Sequence, residues 1–426
     1  MIRILNYESV SPAEVFSRAE AKVDVAASVS AIIEDVRQNG DAALYRYTEK
    51  FDKARLSSLL VTKEEIEEAV LSVSPRFLSV LRHAAENIRA FHEKQVRTGF
   101  RIDNADGVIM GQKITPVDRA GLYVPGGTAA YPSTVLMDSI PAKIAGCPEV
   151  VMVTPPLSDG KINPVILAAA SIAGVDKIYK VGGAQAIAAL AYGTETIPKV
   201  DKIVGPGHAF VAEAKKQVFG QVSIDMIAGP SEILVLADET GDPSAIAADL
   251  LSQAEHDKMA SAVLVTDSPA LAEKVQKELE IQLPLLTRYE IARTSIDENG
   301  KIIVVSTFAE AIELSNALAP EHLELCVENP FDYLDSIRHA GSIFLGKNCP
   351  EALGDYMAGP NHTLPTSGTA RFASPLSVDD FVKKSQYTYF SKDALARIAD
   401  DVAFFAEQEG LSAHAKSARI RTEEQK

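Results

Sequence analysis

From about residue 116 to 365, short runs rich in β-branched residues alternate with longer Ala-rich runs whose apolar positions recur every three or four residues. The short runs, at 121–124, 150–154, 177–181, 202–204, 232–237, 262–266, 302–305, 322–327 and 342–345, have the length and composition of strands. One longer run, opened by Asp242-Pro243, carries Ile246, Ala247, Leu250, Leu251 and Ala254 on a single stripe, the spacing of a helix that buries one face. Strands alternating with helices predict an α/β fold with mainly parallel, helix-covered sheets, and their number predicts two such units. Pro116 and Gly229-Pro230 are the candidate crossing points between them.

Both ends of the chain have a different texture. In the first hundred residues Ser11-Pro12-Ala13-Glu14 and Thr62-Lys63-Glu64-Glu65 form capping boxes, and Ser74-Pro75 opens a longer helical pattern towards His92. Gly40-Asp41 separates two further helical stretches, so this part reads as helical throughout. His83 and His92 sit in amphipathic helical text and read as packing or surface residues. After about Pro365 the strand pattern stops, and 376–426 read as helical, ending in a charged tail.

Length and charge narrow the picture. A chain of 426 residues exceeds one ordinary core, which predicts roughly two to four domains. The net charge of −16, with no long Lys/Arg run, repels phosphate backbones and argues against nucleic-acid binding. Only three cysteines occur, Cys147, Cys326 and Cys349, without a C-x-x-C spacing, the usage of a reducing compartment. The N-terminus lacks the apolar core of a signal peptide, and no stretch approaches the ~18 apolar residues of a membrane span. The expected location is the cytoplasm, with no membrane partner.

Candidate chemistry follows the strands, since ligands in open α/β sheets gather beyond their carboxyl ends. Three glycine turns stand there: Pro125-Gly126-Gly127-Thr128, Gly182-Gly183-Ala184-Gln185 and Gly205-Pro206-Gly207-His208. Such turns let backbone N–H groups and a helix N-terminus approach a pyrophosphate, though each also serves as a tight βα turn, and none is a G-x-G-x-x-G. Gln253 and His256, three apart near a helix end, fit either a surface pair or an amide and an imidazole offered to one metal. Pro320-Glu321-His322 puts an acid beside a histidine at a strand boundary, which suits proton transfer or a hydrogen-bonded strand edge. A loop of about twenty residues from Gly346 to Pro365 holds Asp355-Tyr356 and Asn361-His362, and loops of that length are often functional. Glu409 and His414 lie near the chain end. No cysteine has an activating neighbour, and neither a G-x-S-x-G elbow nor a Walker A motif occurs.

Taken jointly, these segments resemble the histidinol dehydrogenase family over nearly the whole chain. The resemblance is carried by the runs from Gly121 to Gly127, Val181 to Ala191, Val200 to Gly207, Ala228 to Glu232 and Asp249 to His256. It continues through Pro320-Glu321-His322-Leu323, Gly354-Asp355-Tyr356, Asn361 to Pro365 and Glu409 to His414. It implies two incomplete Rossmann-like units with parallel-rich sheets, plus helical N- and C-terminal extensions. The implied domains are an extension over 1–20, a zinc-binding catalytic domain of 21–115 with 232–365, an NAD-binding domain over 116–231, and a helical dimerisation arm over 366–426. The implied activity is oxidation of L-histidinol to L-histidine via L-histidinal by a homodimer, with NAD and one Zn²⁺ per subunit. The family's zinc ligands fall on Gln253, His256, Asp355 and His414, and its catalytic pair on Glu321 and His322. Substrate contacts fall on Ser231 and Glu409 together with those residues, and nucleotide contacts on Tyr123, Gln185 and His208. Position 208 departs, because the family usually has Asn there. A non-catalytic zinc- or nucleotide-binding relative is the alternative; it should have lost an acid, a base or a ligand, and none is lost.

Overall fold

The computed structural model describes residues 1–18, 24–104, 106–126 and 130–422. Gly127 and Thr128 of the first glycine turn, the expected boundary at 20 and the end of the charged tail lie outside these residues. Two compact units form, Met1–Gln95 with Val117–Phe381, and Val96–Pro116 with Val382–Lys426. In chain order the strands are β1 (Arg3–Asn6), β2 (Phe100–Asn104), β3 (Val108–Pro116), β4 (Arg119–Tyr123), β5 (Glu149–Thr154), β6 (Lys177–Lys180) and β7 (Lys202–Val204). They continue with β8 (Ser223–Ile224), β9 (Glu232–Ala237), β10 (Ser261–Thr266), β11 (Lys301–Val304), β12 (His322–Cys326), β13 (Ser342–Leu345) and β14 (Val382–Phe390).

The first unit holds two parallel sheets, ordered β6-β5-β4-β7-β8 and β1-β11-β10-β9-β12-β13. Leaving β1 aside, each has the doubly wound order in which the third, second, first, fourth and fifth strands lie side by side. The expected α/β class, with parallel-rich sheets, is therefore the observed one. Each sheet is apolar on both faces. Leu122, Val150 and Met152 enter one core layer while Tyr123, Val151 and Val153 enter the layer on the other side. Ile233 and Val235 are separated from Leu234 and Leu236 in the same way. Helices cover both faces, which is why these strands read as continuous apolar runs rather than alternating ones. Among the described residues no helix is long and apolar enough to cross a membrane.

The nine expected strands are all present, shifted by two residues at most, but the helical reading of the chain ends needs correction. Arg3–Asn6 is an edge strand, paired in parallel with β11, and four residues are too few to show a period. The second unit is built on an antiparallel sheet, β14-β3-β2, in which β14 pairs with β3 from Val382↔Pro116 to Phe390↔Val108. In β14 every residue from Lys383 to Tyr389 is exposed, so no buried face marks it as a strand. The rest of the C-terminal extension is helical as expected, over Lys392–Gln408 and Ser412–Arg419.

Candidate active site

The helix Phe308–Leu318 ends at Ala319, held in the left-handed region with φ 49°, and this turn delivers Glu321 and His322 to the start of β12. Leu323 and Leu325 join the core layer of Leu234 and Leu236. Alternation therefore sends His322, Glu324 and Cys326 to the opposite face, against the helix Pro243–Ala254. That helix is capped by Asp242, whose carboxylate accepts from Ser244 N–H at 2.9 Å, and its predicted stripe is buried throughout. Gln253 is buried in its last turn, and His256 sits just past the end, exposed.

One backbone residue orients the acid and the histidine together. Glu232 donates its N–H to Glu321 Oε2 at 2.8 Å, and its carbonyl lies 3.0 Å from His322 Nδ1. A carbonyl only accepts, so Nδ1 carries the ring proton and Nε2 keeps its lone pair. The Glu232 side chain is in turn paired with Arg18 Nε at 2.7 Å. Burial lowers the His322 pKa to about 4, so the ring is neutral at physiological pH. Burial raises the Glu321 carboxyl well above the usual range, and the nearby acids Glu232, Asp355 and Glu351 push it the same way.

His322, Glu351 and Asp355 each offer a ligand atom within 4.8 Å of the others. The helix Glu351–Tyr356 supplies both acids and interrupts the long loop that stood out in the sequence. Burial raises both carboxyls, and among the described residues none of Glu321, Glu351 and Asp355 is ion-paired with a lysine or arginine. Gln253 Oε1 and Glu351 Oε1 are buried without a hydrogen-bond partner. A buried cluster of acids with unsatisfied oxygen acceptors and an imidazole suits a divalent cation of the zinc type. The other two substrate-site candidates of this unit are Ser231, half-buried at the entry to β9, and His322 itself. Glu409 and His414 belong to the second unit and are exposed there.

The nucleotide candidates line the carboxyl ends of the first sheet. Tyr123 ends β4, is buried, and its hydroxyl accepts from Gly183 N–H at 3.1 Å, tying the first glycine turn to the second. Gln185 is buried in the first turn of the helix Gly183–Tyr192. His208 caps the helix Ala209–Val218, its Nδ1 accepting from Phe210 N–H at 3.3 Å. Gly205 has φ 111°, and a side chain there would run into the carbonyl of Tyr123, so both the turn and the close approach call for glycine. Its N–H donates to Asp225 at 2.8 Å and its carbonyl accepts from Lys215 Nζ at 2.9 Å, and the two side chains form a buried ion pair. The switch of strand order between β4 and β7, at whose carboxyl ends these residues stand, is where such sheets take a dinucleotide.

The loop from Asn361 to Thr366 bonds the helix Pro132–Ala145 and the segment that leads into β9. Asn361 Nδ2 donates to Met137 O at 2.7 Å, Thr363 Oγ1 to Asp138 at 3.0 Å, and Thr366 Oγ1 accepts from Gly229 N–H at 2.6 Å. His362 lies between these anchors; burial lowers its pKa to about 4, and the nearby His322 and His256 act in the same direction. Sequence reading assigned no role to Glu232, Glu351 or His362; only the loop length pointed towards the last two. The cysteines are free, and burial raises the thiols of Cys147 and Cys326, so neither is a thiolate nucleophile.

Known proteins share this arrangement. The family model of histidinol dehydrogenase matches residues 16–422. The histidinol dehydrogenase of Clostridium acetobutylicum is 56% identical over 426 residues, covering 99% of each chain. That of Bacillus subtilis is 59% identical over 394 residues, 92% of each. The crystal structure of histidinol dehydrogenase from Elizabethkingia anophelis superposes with a TM-score of 0.93 at 40% identity, covering 99% of this chain and 98% of that one. Matched from end to end in sequence and in fold, the chain belongs to the histidinol dehydrogenase family of oxidoreductases.

Proposed function

We propose that this enzyme oxidises L-histidinol through L-histidinal to L-histidine, the last two steps of histidine biosynthesis, with zinc and NAD. The observation that carries the reading is the orientation of His322, whose buried ring is fixed at Nδ1 by Glu232 and so keeps Nε2 free as a base. His322 would take the hydroxyl proton of the alcohol in the first oxidation. Glu321, as carboxylate, would take a proton from water as it adds to the aldehyde, giving the hydrate that the second oxidation uses. Gln253, His256, Asp355 and His414 would hold one zinc per subunit, Tyr123, Gln185 and His208 the dinucleotide, and Ser231 and Glu409 further parts of the substrate. When bound, the zinc would anchor the substrate's imidazole and amino nitrogens and NAD would accept each hydride. An aldehyde held by its distant end need not leave between the two steps.

A homodimer is part of the same proposal. The helices that carry Glu409 and His414 expose Phe404 and Phe405, and the sheet beneath exposes Phe100 and Tyr389. Apolar surface of this kind supports an arm that docks on a second copy and completes its site. The domain division 1–20, 21–115 with 232–365, 116–231 and 366–426, and a cytoplasmic location, complete the reading. Stoichiometry tests it: about two NADH per histidinol, with histidine as product, is expected because each oxidation delivers one hydride. A yield near one with aldehyde accumulating overturns the two-step assignment.

A further inference from the structure

Asp52, beside the first sheet, has no part in the reading above, yet it is not placed as a structural carboxylate. It follows the helix Ala26–Phe51, to whose Thr48 carbonyl its N–H donates at 2.9 Å. A carboxylate there stands at the negative end of the helix, so its charge does not stabilise the fold. Asp52 Oδ2 is buried and, among the described residues, has no hydrogen-bond partner. Lys53, the cation next to it in sequence, donates instead to Lys50 O at 2.7 Å, and Arg55 pairs with Glu49 at 2.6 Å. Burial with nothing to offset it raises the Asp52 carboxyl to about 6, which leaves it mostly ionised at neutral pH. Asp52 is also near enough to Tyr123 to act with burial in raising its hydroxyl to about 12. A cavity of about 250 Å³ opens beside Asp52, with apolar lining from Phe51, Pro155, Leu157 and Ile162. Pockets for whole drug-sized ligands begin near ~300 Å³, so this one suits a base with its sugar rather than an entire dinucleotide.

In doubly wound sheets an acid about 20 residues past the first glycine turn, where the second strand ends, accepts from a ribose hydroxyl of the cofactor. Here the second strand, β5, ends in Thr154-Pro155-Pro156, without an acid. Thr154 and Pro155 line the same cavity as Asp52, so a carboxyl from the N-terminal helical segment stands where the strand supplies none. We propose that this cavity takes the adenosine half of the cofactor and that Asp52 accepts from its ribose, selecting NAD over the 2′-phosphorylated form. The inference rests on the NAD reading and adds the residue that sets its selectivity. A ribose hydroxyl donates to the carboxylate, whereas a phosphate in its place sets like charge against a half-buried one. The competing role for Asp52 is a side chain that only supports the turn after the helix Ala26–Phe51.

Binding of the reduced cofactors, followed by their fluorescence, separates the two. The full-length protein is titrated with NADH and with NADPH as wild type, Asp52→Ala and Asp52→Asn. Wild type is expected to bind NADH more tightly than NADPH. Asp52→Ala should weaken NADH binding roughly 10–100-fold, the worth of a hydrogen bond to a charged acceptor, and should not weaken NADPH. Asp52→Asn, which keeps the size and loses the charge, should bring the two Kd values roughly tenfold closer. The ratio of kcat/KM with NAD to that with NADP should move the same way. Melting temperatures of the cofactor-free variants should match or exceed that of wild type, because each removes a buried carboxylate that lacks a partner. Equal affinity of wild type for NADH and NADPH, or a ratio within about threefold of wild type in both variants, overturns the proposal and leaves the NAD reading standing. A lower melting temperature with that ratio kept assigns Asp52 the supporting role and overturns it too. If wild type binds neither cofactor, the NAD reading falls and this inference with it.

Discussion

At the scale of single residues, the proposed catalytic pair, Glu321 and His322, is set less by its side chains than by what holds them. Glu232 binds both Glu321 and His322 through its backbone, so no substitution of its side chain removes those bonds. The roles of the pair can still be separated. Glu321→Gln keeps size and shape but cannot accept a proton. The hydration-dependent second oxidation should slow by roughly 10²–10⁴-fold while the first suffers less. Equal slowing of both steps, with histidinal supplied directly, would sink the assignment of Glu321 to water. His208 is a second informative position, since the family usually has Asn there. Imidazole Nδ1 and an amide oxygen both sit on the γ atom, so either can cap the helix Ala209–Val218, and His208 does so on Phe210 N–H. His208→Asn should therefore leave the melting temperature nearly unchanged and alter only the KM for NAD. His208→Ala should cost the helix about 1 kcal/mol, measured by thermal unfolding.

Among the elements, the two parallel sheets share a strand order but use opposite ends. The glycine turns stand at the carboxyl ends of β4, β6 and β7, whereas Glu321, His322 and Ser231 stand at the amino ends of β12 and β9. The loop from Asn361 to Thr366 is bonded to Met137 in the helix that follows β4 and to Gly229 in the segment before β9. In the second unit the critical contact is different. Gly111 of β3 lies under the ring of Tyr387, and an added Cβ there would also meet the carbonyl of Phe100 at 2.5 Å. Gly111→Ala should therefore force β2, β3 and β14 apart at a cost of about 1–3 kcal/mol. Because this unit carries Glu409 and His414, activity should fall further than global stability does. Faster proteolysis near 382–390 at an almost unchanged global melt would show it; unaltered cleavage and activity would refute it.

For the molecule as a whole, two measurements reach beyond any single element. Asp138 is fully buried, and burial and Asp225 push its carboxyl up to about 8. An aspartate in the unfolded chain titrates near ~4, so between those values the folded state binds more protons. Its contribution is complete below about pH 4 and lost as pH rises through about 8. The metal-free protein should thus melt at a lower temperature at pH 9 than at pH 6, and Asp138→Asn should flatten that slope; a slope untouched by the substitution would exclude Asp138 as its source. The proposed dimer is tested by complementation. His414→Ala and His256→Ala should each be inactive as homodimers. When subunits exchange, half the dimers are hybrids, each with one intact site, so activity should recover to roughly a quarter of wild type. If a tag pull-down shows exchange and the mixture stays inactive, each site lies within one chain.

How much of this was legible in the sequence follows from which forces act locally. Nine of the eleven strands of the parallel sheets and the helix stripe from Ile246 to Ala254 were readable, because burial on both faces writes long apolar runs and burial on one helix face writes a 3.6-residue period. The candidate site was readable locally as two pairs that each left alternatives open, Gln253 with His256 and Glu321 with His322, and only the resemblance joined them with Asp355, since the pairs lie too far apart along the chain for any spacing rule. β1 and β14 left no trace: one is four residues long and the other is solvated on both faces, so their pairing rests on backbone bonds that carry no residue pattern. The tautomer of His322, the backbone grip of Glu232 and the acceptor cluster around Glu351 were decided by tertiary structure alone. Each depends on atoms from elements far apart in sequence meeting within hydrogen-bond range, and that proximity exists only once the sheets have packed.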